Sequence, residues 1–152
     1  AMAAKSHAAS LTNPIFQPFE RGYEITVDAY ITKNKEVKGL VMRKRVKVVN
    51  GESQVTTSFE NASLQKRFIA FLNKSDFYGH ITLQAIIDDT DNVHLIECNP
   101  RFGGASTLSI HAGLDTFYWF YLEAMGTDIS SYPFLPATKP VMQVRYLNDT
   151  YL

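Results

Sequence analysis

The stretch that most restricts this chain is Val93-His94-Leu95-Ile96-Glu97-Cys98-Asn99-Pro100-Arg101-Phe102-Gly103-Gly104-Ala105-Ser106. It opens apolar and closes in a glycine pair, with a carboxylate, a carboxamide and a guanidinium at alternate positions between. Side chains at i, i+2 and i+4 of a strand project from one face. Glu97, Asn99 and Arg101 are therefore expected together, as far as Pro100 lets the strand run. Oxygen-bearing groups beside a cation suit a magnesium–phosphate site, because a hard cation takes oxygen ligands and shares them with phosphates. Arginine adds a planar fork for phosphate or carboxylate. A solvated strand edge with a local ion pair would show the same triplet.

A partner strand lies just upstream. Gly79 to Asp88 is apolar and β-prone, and Asp89-Thr90-Asp91-Asn92 is a run of turn formers. The pair reads as an antiparallel hairpin. If Asp88 pairs with Val93, Gln84 falls opposite Glu97. Directly opposed side chains share a face, with Cβ atoms about 4.5–5.5 Å apart. A glutamine facing a glutamate on an otherwise apolar hairpin needs a reason, since an unpaired buried charge is costly. A metal would supply one.

Gln84 followed by Glu97-Cys98-Asn99-Pro100-Arg101 resembles the metal-binding half of the ATP-grasp ligase fold. The nearest style is that of the carbamoyl-phosphate synthetase large chain and its unassigned relatives. The superfamily also holds D-alanine–D-alanine ligase and biotin carboxylase. The similarity runs from about Ile15 to the C-terminus. It implies that Gln84, Glu97 and Asn99 hold Mg2+, with Mn2+ as the alternative metal. It also implies that Arg101 is catalytic, stabilising the transferred phosphate or the acyl substrate. In such enzymes a stretch like Ile15–Glu24 joins the two halves of the ATP site. Its backbone, here at Phe19 and Glu20, meets the adenine edge, and an acidic residue meets the ribose. Gln17 and Glu24 match the family spacing, with Gln17 in place of the usual Glu. Without the resemblance, Glu20 and Glu24 read as ordinary exposed charges. Arg43 and Arg45 share a strand face; related enzymes set cationic residues there against the ATP phosphates. The alternative is a solvated basic face guarding a sheet edge.

The chemistry implied is ATP-dependent joining of a small carboxylate to a nucleophile, often an amine, through an acyl phosphate. Ala105 stands where biotin carboxylase has a glutamate base, and Gly104 where carbamoyl-phosphate synthetase has a second arginine. Both departures favour an amino-acid or peptide-type carboxylate over bicarbonate. The half of the ATP-grasp module that carries the phosphate-covering lysines is not in the sequence. The chain is thus expected to be completed by an N-terminal half, in cis or trans, and to be inactive alone. The rival reading is a non-catalytic interaction or regulatory module that retains the site residues.

The rest of the chain sets the frame. Its 152 residues, 45% hydrophobic and 20% charged, make one globular domain. Fifteen basic against fifteen acidic residues leave no net charge to attract nucleic acid or a membrane surface. No apolar run nears the roughly 18 residues of a membrane span. The single cysteine, Cys98, excludes an internal disulfide and points to a reducing, cytoplasmic setting. Residues 1–13 read as loose or tag-derived, and 14–152 as an ATP-grasp C-terminal subdomain.

Within that subdomain, Ile15–Glu24 reads as a short strand, a tight connection and a second strand. Tyr23–Thr32 alternates as a half-buried strand, and Val37–Val49 returns beside it. Asn50-Gly51 signals a hairpin turn, and Gln54–Phe59 a further short strand. Asn61 caps a helix with Leu64, Phe68, Phe71 and Leu72 at helical spacing. His80, at a strand start, reads as structural. Leu114–Gly126 reads as a helix capped by Asp115 and apolar nearly all round. It lies either at the centre of the domain or against something absent, so self-association is expected. Val141–Leu147 closes the sheet. The sum is an α+β fold, an antiparallel sheet with helices packed on one face.

Overall fold

The computed structural model describes residues 8–146. Residues 1–7 of the expected loose N-terminus and the expected strand end at Leu147 lie outside them. The elements are β1 (Tyr23–Ile31), β2 (Val37–Val49), β3 (Glu52–Phe59), α1 (Ala62–Leu72), β4 (Gly79–Ile87), β5 (Val93–Asn99), α2 (Ser106–His111), α3 (Thr116–Ala124) and β6 (Met142–Val144). The strands form one six-stranded sheet in the order β5-β4-β1-β2-β3-β6. Every neighbouring pair is antiparallel.

Local chemistry accounts for the joints. Asn50 and Gly51 both take positive φ, 51° and 80°. That is the backbone a two-residue hairpin needs to match strand twist, and Asn-Gly adopts it at low cost. Asn61 caps α1, its side chain accepting from Leu64 N at 3.1 Å. Gly126, at φ 79°, stops α3. Asp115 occupies the N-cap position of α3, but its side chain makes no capping bond.

The sheet divides the core in two. Ile25, Val27, Ala29 and Ile31 of β1 point to one face, where they meet Leu64, Phe68 and Leu72 of α1. Tyr30 of β1 and Val41 of β2 point to the other, where they meet Leu108, Trp119 and Leu122 of α2 and α3. The helices thus pack on both faces rather than one. The reason is alternation: β1 buries both of its faces from Ile25 onward, so each needs its own cover.

α2, α3 and the Ile129–Val141 loop cover only one end of the second face. The other end carries Glu24, Arg45, Gln84 and Glu97. Within α3, Trp119 and Leu122 are buried while Phe117, Phe120 and Tyr121 stand exposed. The segment from Ile15 to Glu20 forms no strand, unlike the expectation. Pro18 has no N–H to give a ladder, and regular pairing starts only at Tyr23.

Candidate functional site

The hairpin β4–β5 sets the site. Gln84 pairs with Glu97, and Thr82 with Asn99. This is the expected pairing, reached by a different route. The turn is one residue longer than expected, since Ile87 rather than Asp88 pairs with Val93. Asp88 folds into the loop instead, accepting Thr90 N and Asn92 N, each at 2.8 Å. A β-bulge between Gln84 and Ala85, with Ile96 as the unpaired residue opposite, restores the register by Glu97.

Asn99 Nδ2 donates to Glu97 Oε1 at 2.8 Å, on the solvent side. Gln84, half-buried, lies directly across from the same glutamate. Thr26 pairs with both Gln84 and Arg43, so alternation puts Glu24 and Arg45 on this same face. Arg45 Nη1 donates to Glu24 Oε1 at 2.6 Å, Nε to Ser53 Oγ at 3.0 Å, and Nη2 to Gly51 O. Arg101 stands just past β5, exposed, with Nη1 on the Phe102 carbonyl at 3.2 Å. Gln17 and Phe19 are exposed in the segment before β1. Glu20 is half-buried, with Oε1 3.7 Å from His94 Nδ1.

Arg43 is turned toward Asp28. It is buried, and its Nε donates to Asp28 Oδ2 at 2.9 Å. Asp28 is wholly buried mid-strand and gathers donors from three other elements. Thr82 Oγ1 lies at 2.8 Å, Ser106 Oγ at 3.2 Å and Ser109 Oγ at 2.6 Å. Burial pushes the Asp28 carboxyl upward, but the His80 ring, with Nε2 3.6 Å from Oδ1, and the Arg43 guanidinium outweigh it, with Ser109 adding to them. The net effect holds it well below the usual carboxylate range. An Asp in the middle of an otherwise β-prone strand was the available signal, because Asp is disfavoured there unless something repays it.

His80 is buried at the start of β4. Its Nδ1 meets Thr116 Oγ1 at 3.2 Å and its Nε2 meets Thr82 Oγ1 at 3.1 Å. Its ring stacks on Phe102 at 4.1 Å, and Phe102 stacks in turn on Phe117 at 3.8 Å. The Gly103-Gly104 pair does not use its conformational freedom, since neither glycine takes positive φ. Cys98 packs against the α1-side core, and burial pushes its thiol up.

Comparison with known proteins places this geometry. The family model described as "ATP-grasp in the biosynthetic pathway with Ter operon" matches residues 11–150. The chain belongs to this ATP-grasp family. Among solved structures it is similar to the biotin carboxylase domain of Hydrogenobacter thermophilus 2-oxoglutarate carboxylase, at 16% identity and TM-score 0.68, over 81% of this chain and 29% of that one. It is similar to Campylobacter jejuni biotin carboxylase at 13% identity and TM-score 0.68, over 85% and 31% of the two chains. It is also similar to N5-carboxyaminoimidazole synthase from Aspergillus clavatus at 15% identity and TM-score 0.63, over 80% and 34%. The chain therefore spans about a third of the length of these structures. No curated protein matches it. Among the described residues, no helix is long and apolar enough to cross a membrane.

Proposed function

We propose that this chain is the metal- and phosphate-binding part of an ATP-grasp ligase that joins a small carboxylate to an amine or similar nucleophile. The observation that carries the reading is the pairing of Gln84 with Glu97, with Asn99 bonded to that glutamate, on the sheet face that also bears Glu24 and Arg45. Among the described residues no three His, Cys, Asp or Glu side chains cluster as a metal site. A cation on this face would thus rest on one carboxylate and two carboxamides. That set fits magnesium: it is all oxygen, and it sits half-buried to exposed, so water and phosphate can complete the shell. A half-turn about χ2 of Asn99 exchanges its amide N–H for its oxygen. Magnesium, when bound, would neutralise negative charge on the phosphates.

The residues of this chain then divide the work. Gln84, Glu97 and Asn99 hold the cation, with Mn2+ as a substitute. The carboxylate substrate attacks the terminal phosphorus of ATP; the bond to the bridging oxygen breaks and ADP leaves. Arg101 meets the negative charge on the transferred group. The nucleophile then attacks the acyl carbon and displaces phosphate. Glu24 meets the ribose hydroxyls, exchanging part of its contact with Arg45. Gln17, Phe19 and Glu20 form the adenine edge, and Arg45 the phosphate side; Arg43 is spent on Asp28. The Hydrogenobacter thermophilus relative is described with MgADP and bicarbonate. Here Ala105 and Gly104, which depart from the biotin carboxylase and carbamoyl-phosphate synthetase patterns, favour an amino-acid-type carboxylate over bicarbonate. A preceding half, in cis or trans, closes the cleft, in the cytoplasm where ATP and a free thiol coexist.

The test uses Mn2+ as a paramagnetic probe on the isotope-labelled chain. Mn2+ is expected to broaden the resonances of Gln84, Glu97 and Asn99 first, and Glu97→Gln to abolish this with the melting temperature unchanged. MgATP should bind weakly, toward the millimolar range, where a dissociation constant near 1 mM corresponds to about 4 kcal/mol. Broadening that ignores the substitution would remove Glu97 as a ligand. ADP release by the chain alone would overturn the need for a second half.

A further inference from the structure

The Arg101 side chain has little to hold it. Its guanidinium is exposed and bonds to the carbonyl of its own neighbour. Its backbone, in contrast, is tied down on both sides of Phe102. Gly103 N–H donates to Ser106 Oγ at 2.8 Å, and the Ser106 hydroxyl donates to Asp28 Oδ1 at 3.2 Å. On the other side, the Arg101 carbonyl lies 3.0 Å from Thr82 Oγ1, which is 2.8 Å from the same Asp28 oxygen. A threonine hydroxyl carries one proton, so it serves one of these two acceptors at a time. Asp28 is fixed independently by Arg43 and Ser109.

We propose that Asp28 is a positioning residue for Arg101, acting through Ser106 on the backbone that follows Phe102, while Thr82 holds the Arg101 carbonyl when its proton is turned from Asp28. The inference rests on the role given to Arg101 above. A long side chain has many rotamers to lose, so fixing its root narrows the directions its fork can take. Placement matters because a shift of about 1 Å at a reacting group can cost on the order of a hundredfold in rate. The rival holder is the aromatic stack, since Phe102 sits between His80 and Phe117.

Four variants of the full chain separate these. Ser106→Ala cuts the arm to Gly103, and Thr82→Val cuts the arm to Arg101. Ser109→Ala cuts a bond to the same carboxylate that reaches neither. Phe117→Ala removes the end of the stack. The readouts are the Arg101 Nε–H resonance and the affinity for MgATP. Ser106→Ala and Thr82→Val are each expected to move the resonance and to weaken MgATP about tenfold, or 1.4 kcal/mol. Ser109→Ala is expected to leave both in place while lowering stability. In the double variant Ser106→Ala/Arg101→Ala, affinity should equal that of Arg101→Ala alone, because the first change acts only through the second.

Additive losses, or a resonance that moves only in Phe117→Ala, would overturn the positioning role. If Arg101→Ala leaves MgATP affinity intact, the reading of Arg101 has failed. The resonance shifts would then still decide whether Asp28 sets its direction.

Discussion

Asp28 and Glu97 are carboxylates on one face of this sheet that meet opposite fates. Asp28, under α2, is completely buried and accepts from Arg43, Thr82, Ser106 and Ser109. Glu97, at the uncovered end, is exposed and takes one carboxamide N–H. Burial makes every donor to Asp28 obligatory, since a buried charge left short of partners is expensive. Exposure leaves Glu97 with acceptor capacity that water fills and a cation can claim. The cationic partners repeat the contrast. Arg43 is committed to Asp28, while Arg45, two residues on, reaches Glu24 at the rim. The difference teaches that the polar residues of this strand face are sorted by what the helices cover.

The sharpest way to break this contrast is to remove each carboxylate in turn. Asp28→Ala is expected to cost about 3–5 kcal/mol, because it strands a buried arginine. Glu97→Ala should stay within about 0.5 kcal/mol, as exposed substitutions usually do. Urea unfolding checks both, and equal losses would erase the distinction. The next effect is pH dependence. The folded-state carboxyl of Asp28 is depressed, so its contribution is fully present above the unfolded pKa and is lost as pH falls. That loss should begin near about pH 5 and continue downward through the carboxylate range. Ser109→Ala removes one of the bonds that depress Asp28, so its acid unfolding should begin at higher pH than that of the wild type. The last comparison sets the two arginines against each other. Arg45→Met should change stability by under about 1 kcal/mol, since a partly exposed ion pair contributes little. Arg43→Met should approach the Asp28→Ala loss. Thermal melts of the pair sharpen the comparison, and similar melting temperatures would show that cover does not sort the two arginines.

Much of this is legible in the sequence. Period-two alternation from Tyr23 to Thr32 defined β1, and the turn formers after Ile87 defined the hairpin. The oxygen groups at 97 and 99 share a face for the reason first given. What could not be read lies in long-range choices. Arg43 and Arg45 have the same spacing and chemistry, and only the arrival of Ser106 and Ser109 over Asp28 tells them apart. The sidedness of the helices was hidden likewise, because β1 alternates polar and apolar while burying both faces. Its polar side consists of Thr26, a satisfied Asp28 and Tyr30, which a hydropathy pattern reads as exposed although all three are buried. Ile15–Glu20 looked like a strand because Ile15, Phe16 and Phe19 are β-prone; all three stand exposed.

The bulge at Ile96 has a consequence for how this sequence can drift. A ladder register normally forbids single-residue insertions and deletions, because a slip by one turns every later side chain to the other face. Here the extra residue lies between the turn and Glu97, and Ala85 already pairs with Leu95. Deleting Ile96 would iron the strand flat and still deliver Glu97 to Gln84 and Asn99 to Thr82. Deleting Cys98 would instead bring Asn99 opposite Leu83 and send its carboxamide toward the core. Length variation among relatives should therefore concentrate before Glu97 and stop abruptly after it. The segment from 88 to 96 is the slack in the hairpin, and the site begins where that slack ends.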